Sequence, residues 1–211
     1  MNDVIEILKR VGAVITDSHF VGTSGKHFAT YINKDALYPY GKETAEITRL
    51  LADKAKDLGV EVVVGPALGG IILAQWAALF LSELNNHDVL GIYTEKTADG
   101  GQSLTRGHDK LVNGKKVFVV EDLTTTGGSV KKVIDAVRAA GGTVVAVAVM
   151  ANRSPETVTS ETFGVPFFPL AELEVPNYDE SECPLCQSGV PVNTTIGHGK
   201  KFMESKNASN R

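Results

Sequence analysis

From Val117 the chain reads Val-Phe-Val-Val-Glu-Asp-Leu-Thr-Thr-Thr-Gly-Gly-Ser, ending at Ser129. The four apolar residues predict a buried strand that runs into two adjacent acids, Glu121 and Asp122. A turn of Thr124, Thr125, Thr126, Gly127 and Gly128 follows, and a helix is expected to open at Ser129. Such a turn lets backbone N–H groups converge on an anion, and the helix N-terminus adds a favourable dipole. A phosphate monoester fits there, with further donors from Thr125, Thr126 and Ser129. The acids would repel that phosphate. Carboxylates accept hydrogen bonds from hydroxyls, so the diol of a ribose is their natural partner. The simpler reading is a strand-to-helix turn with a capping serine and solvated acids, and the glycine pair alone does not separate the two.

Two other segments carry residues of chemical interest. Gly65-Pro66-Ala67-Leu68-Gly69-Gly70 also follows a strand and opens a helix, and its glycines permit close backbone approach. Cys183-Pro184-Leu185-Cys186 supplies half of a tetrahedral zinc site, with His198 as a candidate third ligand and no fourth visible. A free or redox-reactive thiol pair is the other reading of these cysteines.

The surrounding pattern says what must position these groups. Val4, Ile7, Leu8 and Val11 mark one face of a short helix over 3–11, and a hairpin-rich stretch covers 13–40. A helix over 42–58 ends at Gly59. Strands are expected at 60–64, 89–94, 117–120 and 143–150, with helices at 70–84 and 130–140 between them. A short strand near 167–170 precedes an irregular segment, and 203–211 is expected to be a disordered tail. Strands apolar on both faces and alternating with helices predict an α/β fold, a parallel sheet flanked by helices. Sites in such sheets lie beyond the carboxyl ends of the strands, here 65–70, 95–106, 121–129 and 151–154.

Composition narrows the class further. The length of 211 residues suits one domain, 1–211, and 43% hydrophobic against 22% charged residues excludes a disordered chain. Lys plus Arg number 21 and Asp plus Glu 25, a net charge of -4 that argues against nucleic acid held by bulk charge. The acid within Met1–Glu6 is unlike a signal peptide, and the apolar stretch from Gly69 to Leu81 is interrupted and too short to span a bilayer. A cytoplasmic protein that contacts no membrane is expected.

The thirteen residues ending at Ser129 resemble the phosphoribosyl pyrophosphate (PRPP) signature of the type I phosphoribosyltransferases. The resemblance implies transfer of a 5-phosphoribosyl group to a nitrogenous base, release of pyrophosphate, and Mg²⁺ on the pyrophosphate and ribose oxygens. It implies that Glu121 and Asp122 hold the ribose hydroxyls, that Thr124 to Ser129 cradle the 5-phosphate, and that Ala67, Leu68, Gly69 and Gly70 form a pyrophosphate loop with a cis peptide. Across Ser18 to about Arg153 the order of parts is similar to the orotate-type members, in pyrimidine nucleotide biosynthesis. There Thr23-Ser24-Gly25-Lys26 matches an element placing a cation, Lys26, near PRPP and base. Arg153 matches an arginine that grips the carboxylate of orotate, a task its planar fork suits. The resemblance also implies a hood from 1–40 and about 170–202, and a homodimer whose mobile loop crosses to the neighbouring subunit. In that loop Lys96 is present. Glu95 stands where the pattern has an arginine, Asp99 and Gly101 stand near a second lysine and a histidine, and Arg106 and His108 lie further on as possible substitutes. Gly69 stands where some members carry lysine. A purine such as xanthine as the base, or a PRPP-binding regulator without catalysis, are the alternatives.

Overall fold

The computed structural model describes residues 2–22 and 24–209; Met1, Thr23, Asn210 and Arg211 lie outside them. The elements in chain order begin with α1 (Asn2–Arg10), β1 (Val14–Ile15), β2 (Phe20–Val21), β3 (His27–Phe28), β4 (Tyr31–Ile32) and α2 (Gly41–Asp53). Next come β5 (Val62–Pro66), α3 (Gly69–Asn85), β6 (Leu90–Lys96), β7 (Gln102–Ser103), α4 (His108–Val112) and β8 (Lys116–Thr124). The last are α5 (Gly128–Ala139), β9 (Thr143–Asn152), α6 (Ser160–Phe163), β10 (Phe167–Glu172), α7 (Pro184–Gln187) and α8 (Gly199–Ser209). The chain forms two compact units, Met1–Val11 with Lys34–Leu173, and Gly12–Asn33 with Glu174–Arg211. α1 therefore belongs with the sheet and not with the hairpins that follow it.

The first unit holds a six-stranded sheet in the order β10-β9-β8-β5-β6-β7. All neighbours pair in parallel except β7, which returns antiparallel on β6. The α/β class expected from the alternating pattern is the one found. Valines explain why: Val62, Val64, Val117, Val119, Val147 and Val149 share one core with Val130, Val133 and Val137 of α5. β-branched residues fit a pleated surface, and burial on both faces suits a central parallel strand. Among the described residues no helix is long and apolar enough to cross a membrane.

Three expectations need correction. α2 stops at Asp53 and not at 58, because Lys54, Ala55 and Leu58 donate to the third residue back, a tightened end that Gly59 closes at φ +64°. β8 runs four residues past Val120, its ladder with β9 continuing to Thr124 opposite Asn152. Of the expected disordered tail, 203–209 lies in α8, and Asn210 and Arg211 lie outside the described residues. Phe202 packs edge-to-face on His27, with ring centroids 5.0 Å apart, and Lys206 pairs with Glu180.

In the second unit β2 pairs with β3, and β1 with β4, as nested hairpins. The C-terminal segment joins them through backbone bonds. His27 exchanges both N–H···O bonds with Tyr178, Asn193 N donates to His19 O, and His198 N donates to Val21 O.

Candidate active site

The two acids lie inside the first unit, near the carboxyl end of β8. Both are buried, Glu121 at 7% exposure and Asp122 at 3%. Burial, reinforced by the charge of Asp122, pushes the Glu121 pKa well above the ordinary carboxylate range. It does so against hydrogen bonds from the Asp122 N–H (2.9 Å) and the Ser129 hydroxyl. Asp122 is compensated differently. Its Oδ2 accepts from Lys34 Nζ at 2.7 Å and Tyr38 Oη at 2.9 Å, and its Oδ1 accepts from Leu123 N at 2.6 Å. Burial opposes the Lys34 charge, but Asp122 outweighs it and holds the ammonium pKa above its ordinary value. Burial and then Asp122 raise the Tyr38 phenol far above its usual range. A carboxylate offers about four lone-pair sites, so Asp122 keeps one on Oδ1 for a further donor.

Lys34 and Tyr38 are members of this network that the sequence reading passed over. No local signal marks them: they stand 88 and 84 residues from Asp122. The network also accounts for Gly69. A Cβ there would overlap Asp122 Oδ2 and Tyr38 Oη, so a side chain at this position, where some orotate-type members carry lysine, must displace one of them. Gly65 and Gly70 are just as tightly placed, since a Cβ on either would overlap the other's backbone. Between them the Ala67–Leu68 peptide is cis, as the resemblance implied. Leu68 is exposed, and Gly69 opens α3.

The turn after β8 joins the strand to a helix N-terminus. Thr124 Oγ1 accepts from Gly127 N at 3.1 Å, and Gly127, at φ +73°, turns the chain into the N-terminus of the twelve-residue α5. Thr125, Thr126 and Ser129 are exposed, and Gly128 is half-buried. Arg153 follows the last residue of β9, and its N–H donates to Thr124 O at 2.8 Å. The phosphate turn and the candidate base arginine are thus neighbours at adjoining strand ends.

The expected loop cations are arranged otherwise than a long mobile loop would place them. Lys96 ends β6 and is exposed, and the chain turns within five residues into β7, pairing Lys96 with Gln102. Thr97 bonds Asp99, and Lys132 Nζ from α5 reaches Gly100 O at 2.6 Å. Arg106 is paired with Glu95 at 3.1 Å, and Thr105 bonds the same carboxylate, which lowers the Glu95 pKa. His108 packs edge-on against Tyr93 and bonds its carbonyl. Lys26 lies in the second unit, where it pairs with Asp179 at 2.7 Å. His198 is exposed and is not among the residues whose metal-binding atoms converge on Cys183 and Cys186; His19 and His27 are. A separate groove of about 620 Å³, beside β10, α1 and α2, gathers no such chemistry.

Comparison with known proteins decides the family. Residues 33–165, more than half of the chain, match the phosphoribosyl transferase domain. The chain belongs to that family. Its phosphoribosyltransferase relatives include an orotate phosphoribosyltransferase from Caldanaerobacter subterraneus, 39% identical over 90% of this chain and 93% of the relative. Another from Thermotoga maritima is 38% identical over 93% and 98%. The crystal structure of the orotate phosphoribosyltransferase from Aeropyrum pernix superposes with a TM-score of 0.66 at 28% identity, covering 81% of this chain and 94% of that one. The chain is a phosphoribosyltransferase with the mostly parallel sheet of the family.

Proposed function

We propose that this phosphoribosyltransferase transfers the 5-phosphoribosyl group of PRPP to orotate and releases pyrophosphate, as the names of its relatives say of them. The observation that carries the reading is the stitching of Arg153 to the phosphate turn, N–H to Thr124 O, in a chain this similar to orotate enzymes. Amides and hydroxyls of Thr124 to Ser129 hold the 5-phosphate, and Glu121 and Asp122 hold the ribose diol. That fixes C1 between the pyrophosphate and the base. Positioning and stabilisation of the departing charge supply most of the rate. The backbone of Ala67 to Gly70 and the exposed Lys96 face the pyrophosphate in this reading. Arg153 takes the orotate carboxylate as a fork, a contact that ordinary purines do not need.

Magnesium is part of the proposal. Two adjacent buried carboxylates, Glu121 held well above its ordinary pKa by burial and by the charge of Asp122, are a donor set of hard oxygens that a hard cation suits. Glu121 and Asp122 would hold it, together with substrate oxygens. When bound, the ion neutralises charge on the pyrophosphate. A homodimer and a cytoplasmic location complete the reading.

The test is a panel of bases with PRPP and Mg²⁺, following the ultraviolet absorbance of orotate. Consumption of orotate is expected, and Arg153→Ala should lower kcat/KM for orotate by about 10²–10³-fold, the loss of one buried charge-assisted contact. Turnover of a purine with orotate untouched overturns the choice of base. PRPP binding in calorimetry without turnover of any base overturns the enzyme. Sedimentation velocity reads the dimer.

A further inference from the structure

Four metal-binding side chains that the transfer reaction does not use meet inside the second unit. His19 comes just before β2 and His27 opens β3, while Cys183 and Cys186 flank the start of α7, 164 residues further along the chain in the case of His19 and Cys183. His19, His27 and Cys183 are buried and Cys186 is half-buried. One donor atom from each lies within 4.8 Å of the other three.

The separations match a tetrahedron. Zinc–sulfur bonds of about 2.3 Å and zinc–nitrogen bonds of about 2.0–2.1 Å set donor–donor edges of roughly 3.3–3.8 Å. Both sulfurs stand 3.7 Å from His19 Nε2, and Cys186 Sγ stands 3.4 Å from His27 Nδ1. His19 Nε2 and His27 Nδ1 are closer, at 2.7 Å. A ring shift of about half an ångström opens that edge to the required length. The tautomer of His19 is set from outside: Nδ1 lies 2.8 Å from Val190 O, so it carries the proton and donates, which leaves the Nε2 lone pair facing the other three groups. A backbone carbonyl orients many zinc-bound imidazoles in this way. Without an ion the groups have little but one another. His27 turns Nδ1 toward the other groups, and the thiols are weak hydrogen-bond donors.

We propose that His19, His27, Cys183 and Cys186 bind one zinc ion as a closed structural site that cross-links segment 12–33 to segment 174–211. Two sulfurs and two imidazole nitrogens are a borderline-soft set, suited to zinc and unsuited to magnesium or calcium. All four positions are filled by protein, so no open position remains for a substrate. Binding forms two metal–sulfur and two metal–nitrogen bonds, and the two thiol protons pass to the buffer.

The experiment uses the full chain purified without a metal-affinity tag from zinc-supplemented medium. Elemental analysis should find about one zinc per chain, a content that Cys186→Ser lowers at least tenfold and His198→Gln leaves intact. Chelation should lower Tm, and added zinc should restore it. Cobalt added to the metal-free wild-type chain should give the intense visible bands of a tetrahedral thiolate site, and zinc should protect both thiols from a thiol reagent. The cobalt and protection measurements need no variant, so they decide the matter even if Cys186→Ser fails to fold. Absence of those bands together with thiols equally reactive with and without zinc overturns the site, as does an unchanged zinc content in a folded Cys186→Ser chain.

Discussion

Replacing Lys34 by methionine keeps most of the side chain and removes the charge beside Asp122. The Asp122 carboxylate is 4% exposed, with the ammonium 2.7 Å from it. Stripping one partner from a fully buried ion pair costs about 3–5 kcal/mol. Lys34, however, is 35% exposed, so water recovers part of the loss. Tyr38 Oη and Leu123 N also keep donating to the carboxylate. The expected cost is therefore about 1–2 kcal/mol. Urea unfolding of the ligand-free chain should show it as a lower midpoint at unchanged slope. In an Asp122→Asn background the same change should cost less than about 0.5 kcal/mol, since no carboxylate charge remains to be stranded. The raised Lys34 pKa means its contribution is full below 10.5 and is lost only as pH climbs through the raised value. The deficit of the variant should thus persist across neutral pH. An unchanged midpoint in the wild-type background, or an equal loss in the Asn background, refutes the reasoning.

Other outcomes follow from the same geometry. Glu121, raised to about 8 from 4.5, keeps a proton in the folded chain that the unfolded chain releases, so ligand-free stability should fall as pH rises between those values. Thermal melts of Glu121→Gln should lose that slope, and a slope equal to the wild type's would count against the buried-acid account. Gly69→Ala must displace Asp122 or Tyr38 and should cost about 1–3 kcal/mol in urea melts together with most PRPP turnover. Gly41→Ala, whose Cβ meets nothing within 4 Å, is the control and should stay within about 0.5 kcal/mol. Lys96→Ala should lower kcat by about 10²-fold, whereas Arg106→Ala, already neutralised by Glu95, should lower it less than about fivefold; the reverse ranking in steady-state kinetics would reassign the loop cation.

The sheet could be read from the chain because its strands are valine runs and its helices carry an apolar stripe, both of them local patterns. The phosphate turn was legible for the same reason, since strand, acids, hydroxyls and glycines are contiguous. What escaped was what folding assembles from afar. Lys34 and Tyr38 sit in a stretch that reads as hairpin-rich, and only the folded chain brings them to the acid. His19 and His27 have no ligand-like spacing, and nested hairpins deliver them to the cysteines where the nearer His198 does not arrive. The local pattern ends β8 early because acids and threonines look like loop residues, yet its pairing with β9 carries them on as strand. The part of α8 from Met203 on looks like tail because the stabilising partners of this helix, His27 and Glu180, lie outside it.

The brevity of the turn between β6 and β7 has a consequence for assembly. Five residues separate Lys96 from Gln102, and an extended chain gains about 3.3–3.6 Å per residue, so the arc can project only about 8–9 Å before it must return. Lys132 tethers it near its apex. An arm this short cannot grope across a gap toward a second copy. If Lys96 ever serves a neighbour's pocket, that pocket must come to rest almost flush against the arc, which sacrifices little chain entropy on engagement and demands a close, stiff fit between the two surfaces.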